Sequence, residues 1–153
     1  MTPFKKSRPA FNPFLIPLTT EQHAALSNPP AMAYLALKEE RATRQDLWNL
    51  WFRARCTLGI VEKYHVEVVE EVRPIVEKLE AFFLDLHAHP HKAIEMDLAD
   101  RSDLGALLEL ADEVQKETNR MYQLNVYKAQ RQYCLDAVQT VRRVDQQPVR
   151  QAA

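Results

Sequence analysis

"VEVVEEVRPIVEKLEAFFLDLHA", residues 66–88, carries the cleanest repeat in the chain. Val68, Val72, Ile75, Leu79, Phe82 and Leu86 are spaced 4, 3, 4, 3 and 4 apart, the recurrence of one face of an α-helix. Val69, Val76 and Phe83 form a second row, seven apart, beside the first. That stripe is too wide for a two-stranded seam and predicts a helix at the centre of a bundle. Pro74 lies inside it and removes the backbone bond to residue 70. Either the helix kinks there, or a break near Val72 makes Pro74 the first turn of a new helix.

The rest of the chain agrees with a helical reading. Glycine occurs only twice in 153 residues, at Gly59 and Gly105, where average usage would be about 7%. Tight hairpins and phosphate-cradling loops both consume glycine, so sheet, P-loop and Rossmann readings fail. Residues 44–64, "RQDLWNLWFRARCTLGIVEKY", repeat Leu47, Leu50, Trp51, Ala54, Leu58 and Val61 at helical spacing. Trp48, Trp51 and Phe52 read as core anchors, and Arg53 and Arg55 as surface residues between core positions. Gly59 marks either close helix packing or a helix end.

Upstream, Thr19 and Gln22 have capping-box spacing and open a short helix expected to reach Leu26. Pro29 and Pro30 then end it, and Pro30 starts the next helix, with Met32, Leu35 and Ala36 facing inward. Downstream, residues 89–101 read as a connection. From an N-cap at Ser102 or Asp103 no proline occurs before Pro148. Leu104, Leu107, Leu108, Ala111 and Val114 give a packed face, and the pattern blurs beyond Thr118. One helix running to about residue 144 would be about 60 Å long, and such a length suggests a coiled-coil arm, a partner-binding extension or an unmarked break.

The expected architecture is therefore all-α, a four- to five-helix bundle over residues 19–144. An extended Pro/Phe-rich arm precedes it at 1–18, and a disordered tail follows at 145–153. The arm contains Pro3, Pro9, Pro13 and Pro17 with Phe4, Phe11 and Phe14 between them. Free disordered tails are poor in aromatics, so the arm is expected to dock, either on its own core or on a partner. No apolar run approaches the roughly 18 residues that cross a bilayer, and the prolines interrupt any signal-peptide core, which reads as cytoplasmic.

Charge is uneven. Residues 1–18 carry +3 and residues 120–153 carry +4, so a chain of net −1 holds −8 in the body between them. Lys5, Lys6, Arg8, Arg142 and Arg143 are the candidates for phosphate contact if the ends meet nucleic acid. Cys56 and Cys134 lie in no Cys-x-x-Cys arrangement and read as small buried side chains.

"DLHAHPHKAIEMD", residues 85–97, places His87, His89 and His91 at every second position. Pro90 prevents regular helix there, and alternate side chains of an extended stretch share a side. These three are the only metal candidates. Zinc wants about four ligands, usually including distant ones, so the stretch reads as a histidine-rich connection and neither metal nor cofactor is expected. A di-iron bundle would need Glu-x-x-His on the inward faces of two helices, a pair the sequence lacks. A helix-turn-helix wants a short turn, often with glycine, ahead of a recognition helix, and neither glycine is so placed.

The order of these features resembles a loose group of small helical proteins from proteobacterial genomes, prophages and mobile elements. The features are the arm "RPAFNPF" and "PLTTEQ", the helix "LWNLWFRARCTLGIVEKY", the proline-bearing "VRPIVEKLEAF", and "DRSDLGALLELADEVQKETNRM". The resemblance covers residues 5–135, implies a bacterial or phage origin, and brings no reaction with it. Some of that group carry the label of Fis-like regulator, which the missing helix-turn-helix does not support. The functional expectation is a non-enzymatic accessory protein acting through protein–protein contact or self-association, without a small-molecule substrate. Phe4, Phe11, Phe14, Tyr122 and Tyr133 are the candidate partner-binding residues. Nucleic-acid binding through the basic ends and metal binding through the histidine loop are the alternatives.

Overall fold

Among the described residues, four of the five α-helices start at a side-chain acceptor for their otherwise unpaired first amides, and the helix that starts after Val68 does not. The computed structural model describes residues 4–8 and 12–146. Within them lie α1 (Thr20–Lys38), α2 (Arg44–Tyr64), a 3-10 turn (Val66–Val68), α3 (Val69–Ala88), α4 (Leu98–Glu117), α5 (Arg120–Thr140) and a second 3-10 turn (Val144–Gln146). Thr19 with Gln22 and Thr43 with Asp46 form reciprocal capping boxes. Asp97 and Asn119 cap α4 and α5. No strand occurs among the described residues.

α2 is the hub and packs against each of the other four helices. Leu47, Leu50, Trp51, Ala54, Leu58 and Val61 are all buried, as their spacing predicts. The expectation that the 66–88 helix would be central is corrected, because α3 lies against α2 and only marginally against α4. Its second row, Val69, Val76 and Phe83, is fully buried, while Ile75 and Phe82 of the first are half-buried. Phe83 stacks on Trp51 with ring centroids 5.1 Å apart. The expected break near Val72 is absent: the chain breaks earlier, at His65 ahead of the 3-10 turn, and α3 runs through Pro74. Glu70, whose carbonyl Pro74 leaves without its helical donor, is exposed to water.

Three boundaries differ from expectation. α1 does not stop at Leu26 but continues through Pro29 and Pro30 to Lys38. Continuity rotates the inward face: Ala33, Ala36 and Leu37 are buried, while Met32 and Leu35 are 59% and 41% exposed. α4 begins at Leu98 rather than after Ser102, because the Asp97 side chain accepts from the Asp100 amide at 2.8 Å. The single long helix is two helices, with the chain turning at Thr118 and Asn119.

That corner is closed by buried polar groups. Gln123 Nε2 donates to the carbonyls of Gln115 at 2.8 Å and Thr118 at 2.7 Å, and Thr118 Oγ1 donates to the Val114 carbonyl at 2.5 Å. α5 then returns along α2. A Cβ on Gly59 would lie 3.1 Å from Val126 Cγ1, so Gly59 serves close helix approach and α2 continues past it to Tyr64. Gly105 is tighter still, with the space of its missing Cβ lying 2.5 Å from Tyr34 Oη. The Tyr34 hydroxyl donates to the Arg101 carbonyl at 3.0 Å.

The α1–α2 turn closes with Arg41 N–H donating to the Ala36 carbonyl at 2.9 Å and Glu40 N–H to the Leu37 carbonyl at 3.2 Å. This is a Schellman end, a motif whose left-handed position usually takes glycine. Glu40 occupies it at φ 58°. Glu40→Gly is expected to raise stability by about 0.5–1 kcal/mol, the relief of left-handed strain less the extra freedom of the unfolded chain; a lowered urea midpoint would contradict this. Gln123→Leu is expected to destabilise by about 1–2 kcal/mol, because two buried carbonyls lose their donor. An unchanged midpoint would show that the corner holds without it.

Candidate functional site

Described residues of the N-terminal arm contact the bundle, and Pro13 and Phe14 form a turn closed by Leu15 N–H on the Asn12 carbonyl at 3.2 Å. Phe4 is 8% exposed and joins the core. Lys6 Nζ reaches Glu117 Oε1 at 2.7 Å and Glu113 Oε2 at 3.8 Å, and its side chain is 10% exposed. Ser7 donates to Glu67 Oε1 from its amide at 2.6 Å and from its hydroxyl at 2.9 Å. Farther along, Arg120 N–H donates to the Ile16 carbonyl at 2.7 Å, and the Arg120 guanidinium to the Pro17 carbonyl at 3.0 and 3.2 Å. The arm is thus pinned at both ends. Phe14 is 83% exposed, and Ile16, at the second pin, is 56% exposed. Phe11 lies outside the described residues.

Beneath the first pin sits His65, 3% exposed, with Nε2 3.5 Å from Glu117 and Nδ1 3.7 Å from Glu67. Glu62 and His65 spell the chain's one Glu-x-x-His, but Glu62 is exposed while His65 is buried, so the two do not face a common centre. The Ser7 amide first, then Glu67's own backbone amide and the Ser7 hydroxyl, pull the Glu67 carboxyl down from 4.5 to about 2.

The second candidate surface is α5. Tyr122 is half-buried, edge-on to Tyr64 at 5.1 Å, and its hydroxyl donates to the Gly59 carbonyl at 3.2 Å. Tyr133 is 41% exposed, lies under the Arg55 guanidinium at 3.9 Å, and donates to Glu80 at 3.2 Å. Arg55 is half-buried and its Nε donates to Gln130 at 3.0 Å. The outer row of α5, Met121, Leu124, Lys128, Arg131 and Leu135, is exposed throughout. Met121 follows Arg120, which places this row beside the second pin of the arm.

The basic ends do not share a surface. Lys5 and Arg8 are exposed, but Lys6 is occupied by the two glutamates. Arg142 is exposed and Arg143 half-buried, with Arg143 close enough to His87 to help lower its pKa. Ser7 sits at the start of α3 and His87 in its last turn, about 30 Å apart along a helix of 20 residues.

Nor does the histidine stretch converge. His87 is half-buried on α3 with its ring on Phe83 at 6.4 Å, and its pKa is lowered by burial, then by Arg143 and Arg44. His89 Nδ1 lies 2.9 Å from the Asp85 carbonyl, and His91 is exposed. Arg44 gathers this end of α3, donating to the carbonyls of Leu86, His89 and Lys92 at 3.4, 3.2 and 2.9 Å. Among the described residues no three His, Cys, Asp or Glu side chains are grouped to hold a metal. Cys56 and Cys134 are both buried, and burial raises both thiols, Cys134 to about 12.

Sequence reasoning missed Arg53. It is not a surface residue but 4% exposed. Nη1 donates to the Tyr127 hydroxyl at 2.6 Å, and Nη2 to Asp112 at 3.2 Å, to Ser27 Oγ at 3.4 Å and to Gln115 Oε1. The available signal was a second row on α2: Leu50, Arg53, Thr57 and Ile60, at spacings of 3, 4 and 3, are all buried. Arg53 and Tyr127 line a cleft of about 220 Å³ with Ala25, Leu26, Pro29, Pro30, Trp48, Asn49 and Phe52.

The Glu67 geometry fixes the acid behaviour of the arm. A carboxyl held below its free value stabilises the docked arm fully above pH 4.5, and that contribution fades as the pH falls toward 2. The Ser7 amide resonance should titrate in that window, and Glu67→Gln should remove the transition. A Ser7 amide that stays constant from pH 5 to about 2 in the folded wild type would contradict the hydrogen bond.

No helix among the described residues is long and apolar enough to cross a membrane. Comparison of the chain with protein-family models, curated proteins and solved structures finds no match.

Proposed function

We propose that the protein is a non-enzymatic accessory protein of a bacterium or mobile element, working in the cytoplasm through contact with another protein. One observation carries the reading. Ser7 and Lys6 fasten one described stretch of the arm and Arg120 the other, and the second stretch presents Phe14, and Ile16 at the pin itself, to solvent at 83% and 56% exposure. Exposed apolar side chains held on a fixed segment have already lost conformational freedom, so a partner meets them with less entropy still to lose. Large apolar patches with polar rims mark interaction surfaces.

The neighbouring row on α5 states the kind of partner. Met121, Leu124 and Leu135 supply apolar contacts, and Lys128 and Arg131 add positive charge between them. A helix with apolar residues at the same spacing and acidic residues between them is complementary to that row. A second copy of the chain would set like charges against each other in the same register.

The Phe14→Asp/Ile16→Asp variant tests the reading. Both positions are exposed, so its stability should stay within about 0.5 kcal/mol of wild type. Sedimentation of the purified protein and crosslinked capture from a bacterial lysate should show an association that the variant loses at least tenfold. A wild type that sediments as a monomer and captures nothing that the variant loses would overturn it.

A further inference from the structure

The paired prolines of α1 break a strong local rule. A helical carbonyl points toward the C-terminus and accepts from the amide four residues on. For Ala25 and Leu26 those residues are Pro29 and Pro30, which have no N–H. Leu26 meets proline at the third residue on as well, so neither the α-helical nor the 3-10 donor exists for it. One proline in a helix interior costs roughly 3 kcal/mol, and here two stand in the middle of a continuous helix. Such violations, when retained, point to function.

The four residues line the Arg53 cleft together. The carbonyls of Ala25 and Leu26 point along the helix toward their prolines, so both acceptors that lack an α-helical donor belong to residues of this wall. Trp48 and Phe52 supply ring surfaces and are half-buried. Asn49 Oδ1 already accepts from Gln45 Nε2 at 3.2 Å, which leaves its N–H groups for an acceptor. Tyr127, 8% exposed, accepts from Arg53 and keeps its own hydroxyl hydrogen. Burial holds that phenol protonated, with its pKa pushed up to about 12.

The charge of the site selects against an ion. Arg53 is balanced by Asp112 at 3.2 Å, and both of its terminal nitrogens already donate to protein acceptors. An added anion would compete with Asp112, and an added cation would meet Arg53. The volume selects for size. A cavity of about 150 Å³ takes a benzene ring, so about 220 Å³ suits a fused pair of rings.

We propose that this cleft binds a small uncharged planar heteroaromatic ligand, its ring between Trp48 and Phe52 and its N–H groups donating to the carbonyls of Ala25 and Leu26. The prolines thus keep two backbone acceptors free inside a helix, and Tyr127 and Asn49 offer donors to the ligand's own acceptors. This site is independent of the arm.

Titration of the full chain with indole, benzimidazole and adenine, followed by calorimetry and by amide resonances, tests it. At least one of the three should bind saturably, with shifts at Ala25, Leu26, Trp48, Asn49 and Tyr127. Indole should bind at least tenfold more tightly than 1-methylindole, which has no donor. Pro29→Ala/Pro30→Ala restores the helical donors, so it should melt at a higher temperature than wild type and bind at least tenfold more weakly. No saturable binding by any of the three would overturn the proposal, as would equal binding of 1-methylindole. A folded diproline variant that binds as tightly as wild type would overturn it too.

Discussion

A buried side-chain amide closes the corner from which the last fifth of the chain returns along the bundle. Gln123 Nε2 satisfies the carbonyls of Gln115 and Thr118, at the one place where α4 stops and α5 begins. Those carbonyls are orphaned by the end of a helix and sit where water does not reach, so an unpaired state would be expensive. Once the corner is made, α5 must run back along α2. That return brings Val126 against Gly59, Tyr127 onto Arg53 and Cys134 into the core. It also places Arg120 where the arm's Ile16 and Pro17 carbonyls meet it.

From the corner a polar thread runs into the bundle. Gln115, whose carbonyl accepts from Gln123, uses its side-chain oxygen to accept from Arg53. Arg53 in turn joins α2 to Ser27 of α1, Asp112 of α4 and Tyr127 of α5. A buried charge with fewer partners would be strongly destabilising. With these partners it fixes the relative register of four helices that apolar packing alone would let slide. Arg53 and Tyr127 of this network also line the cleft beside Pro29 and Pro30, which α1, α2 and α5 form together.

Much of the fold was legible, and the reasons are local. The capping box at Thr19 and Gln22, the buried row from Leu47 to Val61, and the rows of α3 depend on spacing within one helix, where sequence separation equals spatial separation. The differences lie where the sequence offers competing local signals or where a distant partner decides. Pro29 and Pro30 read as a stop, yet the helix continues, and the inward face moves from Met32 and Leu35 to Ala33, Ala36 and Leu37. Ser102 looked like a cap, yet Asp97 took the role five residues earlier. The histidine stretch reads as a connection, and what the sequence does not show is Arg44, 42 to 48 residues away, gathering the carbonyls of Leu86, His89 and Lys92.

The sequence by itself determined an all-helical chain with an aromatic N-terminal arm. Glycine scarcity and 3.6-residue periodicity are properties of neighbouring positions, and they need no knowledge of what lies across the core. Only the tertiary structure decided where the arm rests, that the final helix is two, and that Arg53 is buried rather than exposed. The arm's resting place and the burial of Arg53 depend on pairing groups 60 or more residues apart, Ser7 with Glu67, Arg120 with Pro17, Arg53 with Tyr127. The split of the final helix depends on Gln123 reaching the Gln115 and Thr118 carbonyls across the corner. A side chain's apolar or polar character does not specify such a partner, because the hydrogen bond that stabilises it exists only after the chain has closed on itself.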